Sequence, residues 1–436
     1  MHTTSAKRRA ADANANTDTT VTTLPNGLRF VALPLPHLQT ASVGVYVRAG
    51  SAHEPRALNG ISHFVEHMVF KGTAARDVHR INLDAERLGA EVNAHTDKDH
   101  TAYYMRGRGE HAAHFVQMLA DIVQNAIFPE AELAREREVL LQEATEVEDD
   151  PVDTAYQLFD HACWGLHPAA QTVIGRRGNI QRLQRADLVR WVARHHSGAQ
   201  LVVVAAGPID VDAMARAVEA AFGTLPAGQA TVLTAPSWAG GIRSRRLPGS
   251  SQTHLVLGFP VAARRDDDPA SEVAAAVFGD GMSSPLLGEL RERRGLVYHA
   301  ACAADRYESY GQFAVEASFA PDKLDEFLRA LMQLLQRQAQ ATDAVDLERA
   351  RNQLAVRLLH DADRPSRRME QAALDLFSLG RVRSATEQLE RLEAVDATAV
   401  CSAFQRMLAA GVALAMAGSV GRAASDRARD SLLLRV

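Results

Sequence analysis

Over residues 41–48, Ala-Ser-Val-Gly-Val-Tyr-Val-Arg, every second position is apolar, the period of a strand with one face in a core. Just before it, β-forming residues flank the pair Asn26-Gly27, which suits a tight turn, so a hairpin opens the sheet. From Asn59 the period lengthens to that of a helix through Ile61-Ser-His63-Phe-Val-Glu66-His67-Met-Val-Phe70. A second helix is expected over 78–88 with Gly89 as its cap, and an alternating hairpin over 90–104. Phe115, Val116, Met118, Leu119, Ile122 and Val123 recur at helical spacing and form core. An acid-rich helix follows over 132–151, with Glu136 and Glu143 two turns apart on a face shared with Val139 and Leu140. The unbroken apolar run 201–206 reads as a buried strand and 211–222 as the helix after it.

After a stretch rich in Pro, Gly and Ser this order recurs. Residues 253–259 take the place of the strand at 42–48, residues 273–279 that of 65–70, and 327–335 that of 115–123. On this register His63, Glu66 and His67 become Ser271, Ala274 and Ala275, and Arg357 falls where Glu143 would be. The helix is kept while its polar positions are lost together, which fits residues that act together in the first copy. The expected fold is therefore α+β: two homologous domains, each a mainly antiparallel sheet covered by helices. The boundaries read as a disordered tail at 1–20, a first domain at 21–228, a linker at 229–247 and a second domain at 248–436.

Composition narrows the function classes. A length of 436 residues with 47% hydrophobic and 23% charged residues describes a globular protein of more than one core. A formal net charge of −5 argues against nucleic acid as a partner, and no apolar run has the length to cross a bilayer. Cys163, Cys302 and Cys401 match no metal or redox pattern and read as thiols in a reducing compartment. With Lys7-Arg8-Arg9 followed by no apolar segment, no secretion signal is read, and a cytoplasmic location is expected.

The chemistry concentrates at 63–67. On a helix His63 and His67 stand at i and i+4 with Glu66 beside them. Two neutral imidazoles suit zinc, and a hydrolytic zinc needs a third protein ligand, a carboxylate from elsewhere, with one position left for water. Glu66, lying between the two ligands, is placed to take a proton from that water. The order His-x-x-Glu-His reverses the commoner His-Glu-x-x-His and serves the same chemistry. The hairpin after it offers Asn93 and Ala94 as a strand edge along which an extended peptide could lie.

The segments NGISHFVEHMVFKGT, EREVLLQEATEVEDDP and FGDGMSSPLLGELRERRGLVY resemble the inverted-zinc-motif metallopeptidases related to mitochondrial processing peptidase, insulin-degrading enzyme and pitrilysin, most of all their short bacterial branch. The family's third ligand, 76 residues beyond the second histidine, corresponds to Glu143. The resemblance implies one Zn2+ per chain on His63, His67 and Glu143, Glu66 as general base, and Glu136 as a carboxylate supporting the metal. It also implies that Arg291 and Tyr298 hold substrate and polarise the scissile carbonyl. Ala144 and Pro285 depart from the family pattern, where a larger aliphatic and a basic residue are usual. The function implied is zinc-dependent endoproteolysis of peptides or unfolded segments in a chamber closed by a homodimer. The alternative is a catalytically silent or partner-dependent subunit that binds peptides.

Overall fold

The computed structural model describes residues 19–433. The tail read at 1–20 lies, except for its last two residues, outside the described residues. Two mixed sheets organise the rest. The first has six strands, β1 (Thr20–Thr23), β2 (Arg29–Pro34), β3 (Thr40–Val47), β4 (Glu91–Thr96), β5 (Thr101–Arg108) and β6 (Leu201–Gly207), in the order β1-β2-β6-β3-β5-β4. The second has β7 (Gly241–Arg246), β8 (Thr253–Val261), β9 (His299–Arg306), β10 (Gly311–Phe319) and β11 (Ala413–Gly418), in the order β7-β11-β8-β10-β9.

The two sheets repeat one topology. In each, one parallel pair, β2 with β6 or β7 with β11, is followed by antiparallel neighbours only. The strand β1 is an addition to the first sheet, joined to β2 by the turn at Asn26-Gly27, where Gly27 takes φ +88°. The register inferred from the repeat thus has a structural counterpart in equivalent strands, with β4 and β9 as equivalent free edges.

One boundary needs correction. Residues 229–240 contain no helix or strand, but Gly241–Arg246, read as linker, is the edge strand β7 of the second sheet. Its three arginines and largely exposed surface erase the apolar alternation that would have announced it.

On one face the first sheet carries α1 (Ile61–Val69), α2 (Val78–Arg87) and α3 (Ala112–Asn125), packed on Phe30, Val43, Val45, Tyr103 and Val203. The intervening side chains Val31, Leu33, Tyr46, Val202 and Val204 are also buried, against Met369, Ala372, Ala373, Leu376 and Phe377 of the helix Pro365–Leu379. That helix belongs to the second half of the sequence. The reciprocal contact is made by α5 (Pro151–Trp164), which follows α4 (Glu130–Asp149) in the first half. Phe159 and Trp164 of α5 pack under Val256, Ala314, Ala413 and Ala415 of the second sheet. Each sheet is therefore covered on both faces, one cover being supplied by the other half. This explains why 201–206 is apolar at every position, as in sheets buried on both sides.

Candidate metal centre

The helix α1 is aimed by its first residues. Gly60 caps it at φ +101°, and its Cα packs on Gly175 so closely that a Cβ on Gly60 would lie 2.9 Å from the Gly175 Cα. The carboxylate of Glu54, 1% exposed, accepts from the backbone N–H of Gly60 at 2.7 Å and of Ser62 at 2.8 Å, and from Asn59 Nδ2 at 2.9 Å. It satisfies helix N–H groups that have no partner in the first turn. Phe64, Val65 and Met68 are buried in the core, which turns His63, Glu66 and His67 together toward the remaining face.

There they meet α4. His63 Nε2 lies 3.8 Å from Glu143 Oε2, and His67 Nε2 lies 3.8 Å from Glu143 Oε1. The two rings stand edge to face with centroids 4.7 Å apart. The three ligand atoms lie within 4.8 Å of one another. Glu136, two turns earlier on α4, accepts from His67 Nδ1 at 3.1 Å, and its other oxygen pairs with Lys71 Nζ at 2.6 Å. With its proton on Nδ1, His67 presents the Nε2 lone pair to the site. Burial, and secondarily His67, push the pKa of His63 down to about 3, so His63 is neutral at physiological pH.

This donor set fits a zinc ion. Two imidazole nitrogens and a carboxylate converge at separations too long for hydrogen bonds, so a cation is the natural complement. Ligand atoms around a tetrahedral zinc stand about 3.4 Å apart. The 3.8 Å separations differ from that by a few tenths of an ångström.

Glu66 sits beside the trio. Burial raises its pKa, opposed chiefly by the Thr96 hydroxyl, which donates to Glu66 Oε2 at 2.6 Å. Thr96 ends β4, the free edge of the first sheet, and Asn93 and Ala94 lie on the same strand, their side chains on opposite faces. The Asn93 side chain accepts from the Ala94 N–H at 2.8 Å.

Arg291 and Tyr298 are not joined to this group by any hydrogen bond or ion pair among the described residues. Arg291 lies in the π-helical turn Gly288–Arg293, with Glu292 3.9 Å from its guanidinium. Tyr298, 64% exposed, immediately precedes β9, the free edge of the second sheet. The departures at Ala144 and Pro285 are accommodated: Ala144 is buried in the core, and Pro285 begins a short helix capped by Ser284.

Sequence reasoning missed Glu54, Thr96 and Lys71. Lys71 lies in the turn just beyond the end of α1, four residues after His67. Thr96 acts through a tertiary contact, and Glu54 through the irregular loop before α1, neither of which a regular spacing announces. Val139 was placed on the inward face and is 43% exposed. At about 100° per residue it lies roughly 60° to one side of Glu136, while Leu140 and Glu143 stay inward.

Comparison with known proteins gives the family. Residues 29–177 match the family model described as Insulinase (Peptidase family M16), and residues 182–354 match the model described as Peptidase M16 inactive domain. The chain is 32% identical over 423 residues to an "Uncharacterized zinc protease" of Mycobacterium tuberculosis, covering 95% of this chain and 96% of the relative. It is 28% identical over 400 residues to an "Uncharacterized zinc protease" of Rickettsia bellii, covering 91% and 97%. A crystallised protease from Helicobacter pylori superposes with a TM-score of 0.85 at 19% identity, covering 92% of this chain and 99% of that one, which speaks for the fold alone. The loss of the motif from the second half accords with the word inactive in the second model's description. The chain belongs to the insulinase family, peptidase family M16.

Proposed function

We propose that this protein is a zinc-dependent endopeptidase for peptides and unfolded segments, with one zinc held by His63, His67 and Glu143. The observation that carries the reading is the convergence of two imidazoles and a carboxylate, at separations too long for hydrogen bonds, beside the half-buried carboxylate of Glu66. When bound, zinc supplies Lewis acidity and brings the pKa of a water near neutrality. Glu66 is the proton acceptor for the attacking water. Its burial raises the carboxyl pKa toward the range in which a group can take a proton and later release it to the leaving amine. Thr96 fixes one Glu66 oxygen and leaves the other free. Glu136, gripped by Lys71, holds His67 in the tautomer that keeps Nε2 available.

Substrate is bound as an added strand on β4 along Asn93 and Ala94, where main-chain hydrogen bonds accept any sequence in extended form. Folded proteins are poor substrates on this reading. Tyr298 and Arg291 are exposed and act on the substrate bound at a partner's zinc, the Tyr298 hydroxyl donating to the developing oxyanion. The active form is then a homodimer enclosing a chamber. The three cysteines are unpaired, which suits a cytoplasmic setting.

The test compares the wild type with Glu66→Gln on a long unstructured peptide, with bound zinc measured in both. Cleavage abolished by a chelator, and a variant that keeps zinc but loses about 10²–10⁴ in rate, are expected. A wild-type dimer that binds zinc and peptide yet cuts nothing would overturn the reading in favour of a binding or partner-dependent subunit. Chromatography with mass measurement tests the homodimer.

A further inference from the structure

A second group of metal-ligating side chains lies across the sheet from the first. His95, on β4, points its Nε2 at Glu370 Oε1, 3.6 Å away on the helix Pro365–Leu379 of the other half. His100, at the foot of the β4–β5 turn, brings its Nε2 to 4.0 Å from the same oxygen. The His95 and His100 rings stand at 88° with centroids 5.5 Å apart, and the three ligand atoms lie within 4.8 Å of one another.

Three features distinguish this group from a surface charge cluster. His100 is 2% exposed, and its Nε2 is buried with no hydrogen-bond partner. An imidazole nitrogen in that position is costly unless a ligand completes it. Next, His100 Nδ1 is engaged by Asp99 Oδ1 at 2.9 Å, and Asp99 Oδ2 accepts from the Glu308 N–H at 2.8 Å. Asp99 thereby takes Nδ1 and leaves Nε2 as the ring nitrogen that faces the cluster, as Glu136 does for His67 at the first site. Finally, His95 is 40% exposed, so an ion has a path from solvent and a position for water. The other Glu370 oxygen pairs with Arg367 at 3.1 Å, leaving Oε1 for the two histidines.

We propose that His95, His100 and Glu370 form a second metal site, which takes a divalent transition ion of the zinc class and ties the free-edge strand β4 to the helix Pro365–Leu379. Two imidazoles and one carboxylate are borderline ligands suited to zinc, cobalt or nickel rather than to magnesium or calcium. His95 and Thr96 are neighbours on one strand and face opposite sides of the sheet. The ion would therefore brace, from behind, the strand whose other face holds the Thr96 contact to Glu66. It would be a structural or regulatory ion, in addition to the single zinc per chain implied by the family resemblance.

The experiment measures bound Zn2+ after equilibration of the full chain with micromolar Zn2+ and gel filtration. Two ions are expected in the wild type, one in His95→Ala, one in the His63→Ala/His67→Ala variant, and none when the three changes are combined. The melting temperature gives an independent readout. Zn2+ should raise that of the His63→Ala/His67→Ala variant, and Glu370→Gln, added to it, should abolish the rise. His95 and Glu370 are chosen over His100 because their side chains are 40% and 25% exposed against 2%. Unchanged zinc content in His95→Ala, or a His63→Ala/His67→Ala variant whose melting ignores Zn2+, would overturn the proposal and leave an ion-pair cluster only. Failure of the first site instead shows as a His63→Ala/His67→Ala variant that keeps the wild-type zinc content.

Discussion

Glu136→Gln changes one atom and should weaken zinc binding through a conflict that the structure makes specific. One oxygen of Glu136 faces His67 Nδ1 at 3.1 Å and the other faces Lys71 Nζ at 2.6 Å, with the side chain 11% exposed. Both neighbours are donors, which a carboxylate satisfies and an amide cannot. If the amide oxygen accepts from His67, its NH2 confronts the Lys71 ammonium. If the amide is flipped, NH2 faces Nδ1, the imidazole proton moves to Nε2, and that nitrogen can no longer bind metal. Hydrogen bonds to charged groups contribute about 1.5–3 kcal/mol, so losing one corresponds to about 10–150-fold in affinity. Loss of a group that supports a ligand typically costs about 10–100-fold, in agreement. The assay is competition for Zn2+ against a chelator of known affinity, with wild type, Glu136→Gln and Glu136→Gln/Lys71→Met. The single variant should bind about 10–100-fold more weakly. Lys71→Met removes the donor that opposes the favourable orientation, so the double variant should recover part of the loss. Equal affinity of wild type and Glu136→Gln, or a double variant weaker than the single one, would refute the account of Glu136 as the group that sets the His67 tautomer.

Other outcomes follow from burial and charge. Phe159→Ala should destabilise by about 3–5 kcal/mol, since the ring is fully buried against β8, and denaturant melts should still show one transition because the helix it leaves belongs to the other half. Two separate transitions would contradict that coupling. Arg48 and Glu308 form a mostly buried ion pair between the halves, and Glu308→Gln should cost about 3 kcal/mol or more by leaving Arg48 uncompensated, whereas Arg48→Met/Glu308→Leu should cost much less in a double-mutant cycle. His196 is buried and donates from Nδ1 to the Val123 carbonyl at 3.0 Å; burial holds its pKa down to about 4, below the ordinary 6.5. The unfolded chain binds this proton first, so the contribution is complete above pH 6.5 and is lost as pH falls toward 4, on the order of 3 kcal/mol. Urea melts across that window should show a shallower acid dependence in His196→Gln.

The two histidines and Glu66 were legible because they share one helix, where spacing fixes direction. Glu143 was legible in part, as a carboxylate two turns from Glu136 on a face that should have been apolar. The alternating strands were equally plain, although the alternation in β3 pointed to one buried face where both are buried. Periodicity records that a residue is buried but not against what. The helices α5 and Pro365–Leu379 were not read from the sequence at all, and nothing in their own residues says that each closes the sheet of the other half. The same limit hid the second histidine cluster, since Glu370 reaches His95 and His100 only through that exchange. The strand β7 escaped for the opposite reason, being an edge with too little apolar surface to carry a period.

The exchanged helices change what the connecting segment 229–240 is for. A hinge between independent bodies is a tether, and cutting it sets them free. Here each half holds the other's sheet face through a helix lying far from the connection in sequence, with Arg29 Nη1 bonded to the Leu376 carbonyl and the Tyr156 hydroxyl donating to Glu316 across the same seams. A chain nicked within 229–240 would remain clasped. The connection sets the order in which the halves are made, and the interlocked covers keep the two sheets, with their edge strands β4 and β9, in one body.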